Sequence, residues 1–163
     1  FKNDEFFIKN NFKIKGQKIS AIAAFNQRKF GANGFYASPA AIDQYEETQA
    51  SLLGITTTIN SENLSITPKL YWRRGQDEYI YIRNNPSVYR NLHITNKFSG
   101  EITGSYFLES GVLGFGLDLS HADISSNNLG EHKRTTLNLF TDYKFKLLKD
   151  KLVLSADQES QMK

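Results

Sequence analysis

The residues whose side chains could do chemistry gather in and beside one irregular stretch, 28–44. Phe35 and Tyr36 lie in it beside glycines and next to Asn33, and a long loop with exposed aromatic rings suits ligand capture by stacking. These three are therefore candidate ligand contacts, with packing of the loop tip as the alternative. Asp43, Glu46 and Glu47 follow, and hard carboxylate oxygens of this kind suit calcium. Solvated loop charges are the simpler interpretation of the three acids.

Catalytic chemistry finds no support in the remaining residues. The histidines, His93, His121 and His132, lie on separate segments without metal-ligand spacing, and the chain has no cysteine. No Ser/His/Asp order, glycine-rich phosphate loop or paired carboxylates stand out. The net charge of +3 combines 20 basic with 17 acidic residues, too mixed for a nucleic-acid partner. We therefore expect a protein that is not an enzyme and needs no cofactor or metal.

Alternation of apolar and polar residues predicts the elements that hold these side chains. From Leu64 to Trp72 every even position is apolar and every odd position is polar or amphipathic. Successive side chains of a strand point to opposite faces, so this stretch predicts a strand with one apolar face. The same period recurs from 6 to 14, 19 to 25, 46 to 59, 94 to 108, 113 to 119, 137 to 147 and 152 to 156. The fold class is therefore all-β, an antiparallel up-and-down meander of about eight strands.

The connections between these strands are predicted to alternate in length. Short turns fall near Gly16, Ser61, Ser110 and Lys149, whereas irregular stretches cover 28–44, 84–91 and 127–133. In a meander every second connection lies at the same end of the sheet. Short turns at one end and long loops at the other are typical of bacterial outer-membrane barrels, whereas a soluble sandwich mixes the two.

One predicted face is apolar, as contact with lipid requires, and the other is charged and polar, as contact with water requires. The residues expected to face lipid are Phe98, Ile102, Tyr106, Leu113, Phe115, Leu117, Leu137 and Leu139. Those expected to face a hydrated lumen include Lys97, Glu101, Asp118 and Asp142. A strand from 64 to 83 would span roughly 65 Å, well beyond the apolar height of a membrane. A half-buried sheet of a soluble sandwich is the alternative.

Aromatic and basic residues occur near the predicted long-loop end. Tyr71, Trp72, Tyr79 and Tyr81 are candidates for an aromatic girdle or for strand tips above it. Four arginines, Arg73, Arg74, Arg83 and Arg90, could bind lipopolysaccharide phosphates, or simply keep the strand tips soluble.

Two strings in this order resemble a known family. The residues FGANGFY at 30–36, followed by QYEET at 44–48, and PKLYWRR at 68–74 with Asp77 resemble TonB-dependent outer-membrane receptors of the cobalamin-receptor type. The resemblance covers about residues 17–155. It implies a twenty-two-stranded barrel, of which residues 1–163 form an internal part of the wall. The plug domain and its TonB-contact motif are not present in this chain.

The resemblance also implies a function and a location. It suggests active import of a scarce large nutrient, cobalamin or a relative, across the bacterial outer membrane. The implied partners are membrane lipid and lipopolysaccharide, TonB acting through the plug, a surface lipoprotein and a large small-molecule ligand. The alternatives are a small structural or adhesive barrel that presents surface loops, and an outer-membrane enzyme, for which the sequence has no catalytic constellation.

The loop residues provide the first test. We expect the double change Phe35→Ala and Tyr36→Ala to weaken ligand binding and leave barrel assembly intact, because these rings offer large apolar area at low rotamer cost. Growth on limiting cobalamin, together with binding of other large nutrients, measures the effect. Unchanged uptake and binding would assign the two rings to loop packing.

Overall fold

The described chain forms a single antiparallel sheet. The computed structural model describes residues 1–34, 43–147 and 152–162, with side chains described through residue 145. The strands are β1 Lys2–Ile14, β2 Gln17–Gly31, β3 Tyr45–Thr57, β4 Ile59–Asn60, β5 Leu64–Ile80, β6 Arg90–Leu108, β7 Gly111–Ser126, β8 Gly130–Leu147 and β9 Leu152–Met162. Eight of them lie side by side in chain order, and the two-residue β4 pairs with β5. The predicted all-β antiparallel meander is therefore confirmed. None of the described residues belongs to a helix long and apolar enough to cross a membrane.

The first turn shows how sequence sets register. Lys15 and Gly16 have φ values of 49° and 84°, so both central residues of the β1–β2 hairpin are left-handed. Such two-residue turns match the right-handed twist of the flanking strands. The turn fixes the pairing of Ile14 with Gln17, and every later pair between the two strands follows from it.

The third predicted long loop is wrong. The sequence suggested an irregular stretch from 127 to 133, yet β8 begins at Gly130. Gly130 has a φ of 77°, which bends the chain at once, and the Ser126 hydroxyl accepts hydrogen bonds from the backbone N–H groups of Asn128 and Leu129. The connection is thus a tight turn of three residues, 127–129.

The strand boundaries also differ from those predicted. β2 continues to Gly31, four residues into the expected loop, and β5 ends at Ile80 instead of residue 83. At 17 residues, β5 spans about 56 Å, or roughly 43 Å of height at a strand tilt of about 40°, which still exceeds the apolar height of an outer-membrane barrel, about 25 Å.

Register divides the sheet into two chemically distinct faces. Cross-strand partners point to the same side, so each ladder row can be read across the sheet. One row joins Pro68, Ile102, Leu117 and Leu139. The neighbouring row on the opposite side joins Lys69, Glu101, Asp118 and Asn138. We name these sides the apolar face and the polar face.

Solvent exposure of the two faces is the opposite of that in a protein with a hydrophobic core: the apolar face is exposed and the polar face is shielded. On the apolar face Phe98 is 55 % exposed and Leu119 51 %, whereas Ser99 and Ser120 on the polar face are 6 % and 7 % exposed. Among the described side chains only Ala32 and Ile80 are buried hydrophobics. No second layer of described residues covers the apolar face.

Glycine and aromatic residues interlock across the central strands. Gly116 pairs with Phe140 on the polar face, and a Cβ on Gly116 would overlap the Phe140 ring. Gly104 pairs with Phe115 on the apolar face in the same way. The absent side chain lets each ring lie across the neighbouring strand.

This interlocking predicts the cost of adding one methyl group. Gly116→Ala should lower the free energy of unfolding by about 1–3 kcal/mol, because the ring of Phe140 must leave its position. Gly31→Ala is the control, since its Cβ would meet only the Gln44 carbonyl at 3.7 Å. There we expect no loss, or a gain of up to about 1 kcal/mol from lower chain entropy in the unfolded state. Urea unfolding of the full-length protein compares the two, and equal effects would contradict the interlocking.

Candidate functional site: an apolar belt and a tyrosine pocket

The part of the apolar face nearest the short turns carries a continuous band of apolar side chains, which we name the apolar belt. On β5 it runs from Leu64 to Trp72, and the next residue on that face is Arg74. Nine residues cover about 26 Å along the strand, or roughly 20 Å of height at a strand tilt of about 40°. This is close to the apolar height of an outer-membrane barrel, about 25 Å.

The upper border of the belt is a row of polar side chains. Arg74, Asn96, Asp123 and Lys133 are successive cross-strand partners. Arg74 Nη1 donates to Asn96 Oδ1 at 3.4 Å, and Asn96 Nδ2 donates to Asp123 Oδ1 at 3.2 Å. Along β5 the apolar face therefore changes from hydrocarbon at Trp72 to hydrogen-bonded polar groups at Arg74, the next residue on that face.

All eight residues predicted to face lipid lie on the apolar face. The register aligns Phe98, Ile102 and Tyr106 of β6 with the leucines and Phe115 of β7 and with Leu137 and Leu139 of β8. Lys97, Glu101, Asp118 and Asp142 lie on the opposite side. Contact of the apolar face with lipid stays a prediction.

The predicted aromatic girdle is divided between the two faces. Trp72 lies on the apolar face at the top of the belt, with its ring 6.4 Å from that of Phe98. Tyr71 and Tyr79 occupy odd positions of β5 and point to the polar face, opposite to Trp72. Tyr81 lies beyond the end of β5. Alternation explains the division, because aromatic residues at adjacent positions must point to opposite sides.

Tyrosines that the sequence did not single out as a girdle border the lower edge of the belt. Tyr106 and Tyr143 share a row through Leu113, close to the β6–β7 turn. The Tyr143 hydroxyl lies 2.7 Å from the Ser110 hydroxyl of that turn. An amphipathic ring with its polar end toward a turn is the arrangement found at membrane–water interfaces.

One depression of the described surface belongs to the belt. It has a volume of about 870 Å³ and lies where Ala21, Ala23 and Gly100 leave room between Leu53, Leu70 and Phe98. Its lining is almost wholly apolar and it is broadly open. We therefore treat it as part of the belt.

The acidic residues considered for calcium do not converge. Glu46 and Glu47 are adjacent in β3 and point to opposite faces. Glu47 pairs with Lys29 at 2.9 Å and accepts hydrogen bonds from Gln27 and Gln49. Burial acts to raise the pKa of Glu47, but these hydrogen bonds prevail and lower it. No group of three potential metal ligands occurs among the described residues.

A pocket on the polar face, near the long connection between β5 and β6, is the second candidate site. It encloses about 580 Å³, and we name it the tyrosine pocket. Its lining consists of Glu46, Asp77, Tyr79, Tyr81, Val88, Tyr89, Asn91 and His93. β3, β5, β6 and the connection 81–89 each contribute, so the pocket exists only in the assembled sheet.

Two tyrosine rings form a corner of this pocket. The rings of Tyr79 and Tyr89 are 6.2 Å apart with an interplanar angle of 65°. Tyr81 N–H donates to the Tyr89 carbonyl at 3.1 Å, which closes the connection at its base. Asn128 of the neighbouring turn donates from Nδ2 to the Tyr89 hydroxyl at 3.0 Å. The tight β7–β8 turn thus positions the Tyr89 ring.

Polar atoms of the pocket lack partners among the described residues. Asn91 Nδ2 lies 2.8 Å from His93 Nε2, and an amide donor there places the imidazole proton on Nδ1. His93 Nδ1 and Asn91 Oδ1 are both buried without a hydrogen bond. Buried polar groups are normally paired, so this donor and this acceptor remain available to a bound molecule.

The charged groups in the described lining of the pocket are acidic. Burial raises the pKa of Tyr79, and the nearby Tyr81, Tyr89 and Glu46 raise it further by disfavouring a second negative charge. The Asp77 carboxylate has no hydrogen-bond or ion-pair partner in the described part of the chain. None of the described lining residues is a lysine or an arginine.

The candidate ligand contacts Phe35 and Tyr36 lie outside the described residues. Asn33 is described, and its Oδ1 accepts a hydrogen bond from Gln44 N–H at 3.0 Å. Asn33 therefore closes the base of its connection. The Asp43 carbonyl accepts from Arg83 N–H at 3.0 Å, which joins this connection to the one after β5.

The four arginines do not form one cluster. Arg73 points to the polar face and Arg74 to the belt border, while Arg90 pairs with Glu78 and Arg83 lies 4.4 Å from the Tyr45 ring centroid. Sequence reasoning missed the tyrosine pocket because its residues come from separate segments. The clustering of tyrosines at 79, 81 and 89 was the one visible signal.

No protein-family model matches this chain, and no curated protein matches it.

The belt predicts a face-dependent cost of charge. In lipid vesicles Leu117→Arg of the full-length protein should lower the free energy of unfolding by about 2–4 kcal/mol, as expected for arginine near the bilayer midplane. Thr103→Arg is the matched control, because Thr103 lies at a similar height on the polar face. Its cost should be well below that of Leu117→Arg. Equal costs at the two positions would contradict a lipid-facing belt.

Proposed function

We propose that this chain is part of the barrel wall of a TonB-dependent outer-membrane receptor of the cobalamin-receptor type. The observation that carries the proposal is the uncovered apolar belt on one face of a single-layered sheet whose other face is charged. In water such a belt would be a large exposed hydrophobic patch, which soluble monomers rarely tolerate. Lipid on one side and a hydrated lumen on the other account for both faces.

The inverted accessibility supports a wall that curves around its polar face. Side chains converge on the inner side of a curved sheet and diverge on the outer side. The low exposure of Ser99, Ser120 and Thr136 beside the high exposure of Phe98 and Leu119 has this form. Polar side chains then line the lumen.

The free edges favour a large barrel. β1 and β9 each pair on one side only within the described residues. A closed barrel of eight strands has room for little beyond side chains, and the long Lys69, Lys97 and Glu101 would crowd it. Further strands on both sides would pair these edges and widen the lumen, which agrees with a wall of the twenty-two-stranded kind.

In this proposal the protein performs no covalent chemistry. The long connections bind a scarce large nutrient, most simply cobalamin or a relative, on the outer side. A plug domain pulled by TonB then opens the path, and membrane lipid, lipopolysaccharide and a surface lipoprotein are the other partners. A structural or adhesive barrel that only presents loops is the competing function.

Spin labels test the placement of the two faces. Cysteines at 98, 102 and 106 of a cysteine-free full-length protein should give labels accessible to oxygen, which concentrates in lipid. Labels at 97, 101 and 105 should be accessible to a water-soluble nickel chelate. Loss of this period of two in outer-membrane vesicles would contradict the barrel wall.

Growth of deletion strains on a limiting nutrient distinguishes a transport receptor from a barrel that only anchors surface loops. Deleting the gene should abolish growth on limiting cobalamin, and deleting the organism's TonB should have the same effect. Normal growth of both strains on cobalamin and other scarce large nutrients would favour the anchoring barrel.

A further inference from the structure

We propose that the tyrosine pocket binds the cationic group of a small-molecule ligand, with tyrosine rings as walls and the Asp77 and Glu46 carboxylates as counter-charges. The inference rests on the proposed function, because it names the kind of chemical group that the outer part of the lumen would recognise.

Ring geometry favours a cation over a flat ligand. A sugar or a planar heterocycle stacks best on one platform, whereas Tyr79 and Tyr89 meet at 65° and form two walls of a corner. A rounded alkylammonium group can contact both rings and Tyr81 at once. The faces of aromatic rings carry partial negative charge and attract cations within about 6 Å.

Charge favours the same class of ligand. Asp77 and Glu46 lie on the polar face of neighbouring strands, and none of the described lining residues is basic. Asp77 has no partner among the described residues, and Glu46 is only 7 % exposed. A bound cation would find the Asp77 carboxylate already in place, without breaking an ion pair of that side chain with a described residue.

The unpartnered atoms indicate a ligand that also carries a hydroxyl or an amide. His93 Nδ1 offers a buried donor and Asn91 Oδ1 a buried acceptor, both in the lining of the same pocket. A hydroxyl can satisfy both because it accepts and donates. The best match is a small alkylammonium group with a hydroxyl nearby, either free or as part of a larger nutrient.

Choline and its uncharged isostere 3,3-dimethyl-1-butanol are the probes. They share shape and hydroxyl group and differ in charge, so their affinity ratio isolates recognition of the cation. Titration of the purified full-length protein in detergent, followed by calorimetry and saturation-transfer NMR, should show choline binding about tenfold more tightly than the isostere.

Variants assign the binding to the pocket. Asp77→Asn and Tyr89→Leu should each weaken choline binding about five- to tenfold and change isostere binding little. Asp123→Asn and Tyr106→Leu are the matched controls, since both residues lie on the apolar face, and they should bind choline like the wild type. Heat-modifiable mobility verifies that each variant is folded.

Several outcomes would overturn the inference. Equal affinity for choline and its isostere would show that the pocket does not recognise the positive charge. Tighter binding of inorganic phosphate than of choline would indicate an anion-binding pocket. Tighter binding of maltose than of choline would indicate a sugar-binding pocket. Loss of choline binding in the control variants would place the site elsewhere. If choline binds but no scarce large nutrient is taken up with the help of TonB, the pocket assignment stands and the transport function is refuted. If such a nutrient is taken up but choline does not bind, the transport function stands and the pocket assignment is refuted.

Discussion

Removal of the apolar belt from water is the constraint on which the rest of this structure depends. Burial of apolar surface contributes about 25 cal/mol per Å², and the belt contains most of the large aliphatic and aromatic side chains of the strands. The described chain folds no second layer over them, and the side chains on the opposite face are the less accessible ones. The free energy that normally comes from a protein core must therefore come from a cover outside the described sheet. Lipid fits that requirement because the belt has a limited height and a polar border.

The same belt explains why the register is well defined. Shifting one strand by a single residue would move its apolar set to the polar face and its charged set into the belt. Tight turns, such as the one at Lys15 and Gly16, and the glycine–aromatic pairs of β6, β7 and β8 act in the same direction. On the polar face the ion pair of Lys69 with Glu101 at 3.0 Å and the hydrogen bond from Asn138 to Asp118 at 3.0 Å add specificity. These half-buried interactions are individually modest and serve mainly to align neighbouring strands.

Above the belt the requirement for one apolar face ends, and the strands carry polar groups on both sides. The cluster of Lys29 and Glu47 occupies the apolar face there, and the tyrosine pocket occupies the polar face. Hydrogen bonds between neighbouring connections hold this region together, through Asp43 with Arg83 and Asn128 with Tyr89. A binding site can form in this region because extended strands supply a rigid base and connections supply adaptable walls. The lower part of the sheet thus has one apolar face, and the upper part has polar groups and a pocket.

Sequence alone determined the class of fold, the strand order and the two faces, because a period of two is a local property that each strand carries by itself. It also located the short turns at Gly16 and Ser110 from their turn residues. It misjudged the turn at 127–129, where Ser126 and Gly130 replace a loop by a hydrogen-bonded bend. It could not separate Trp72 from Tyr79 as belt and pocket residues, since similar rings differ only in the parity of their positions. The tyrosine pocket was decided by tertiary structure alone, because register between strands and the path of a connection bring Glu46, Asp77 and Tyr89 together.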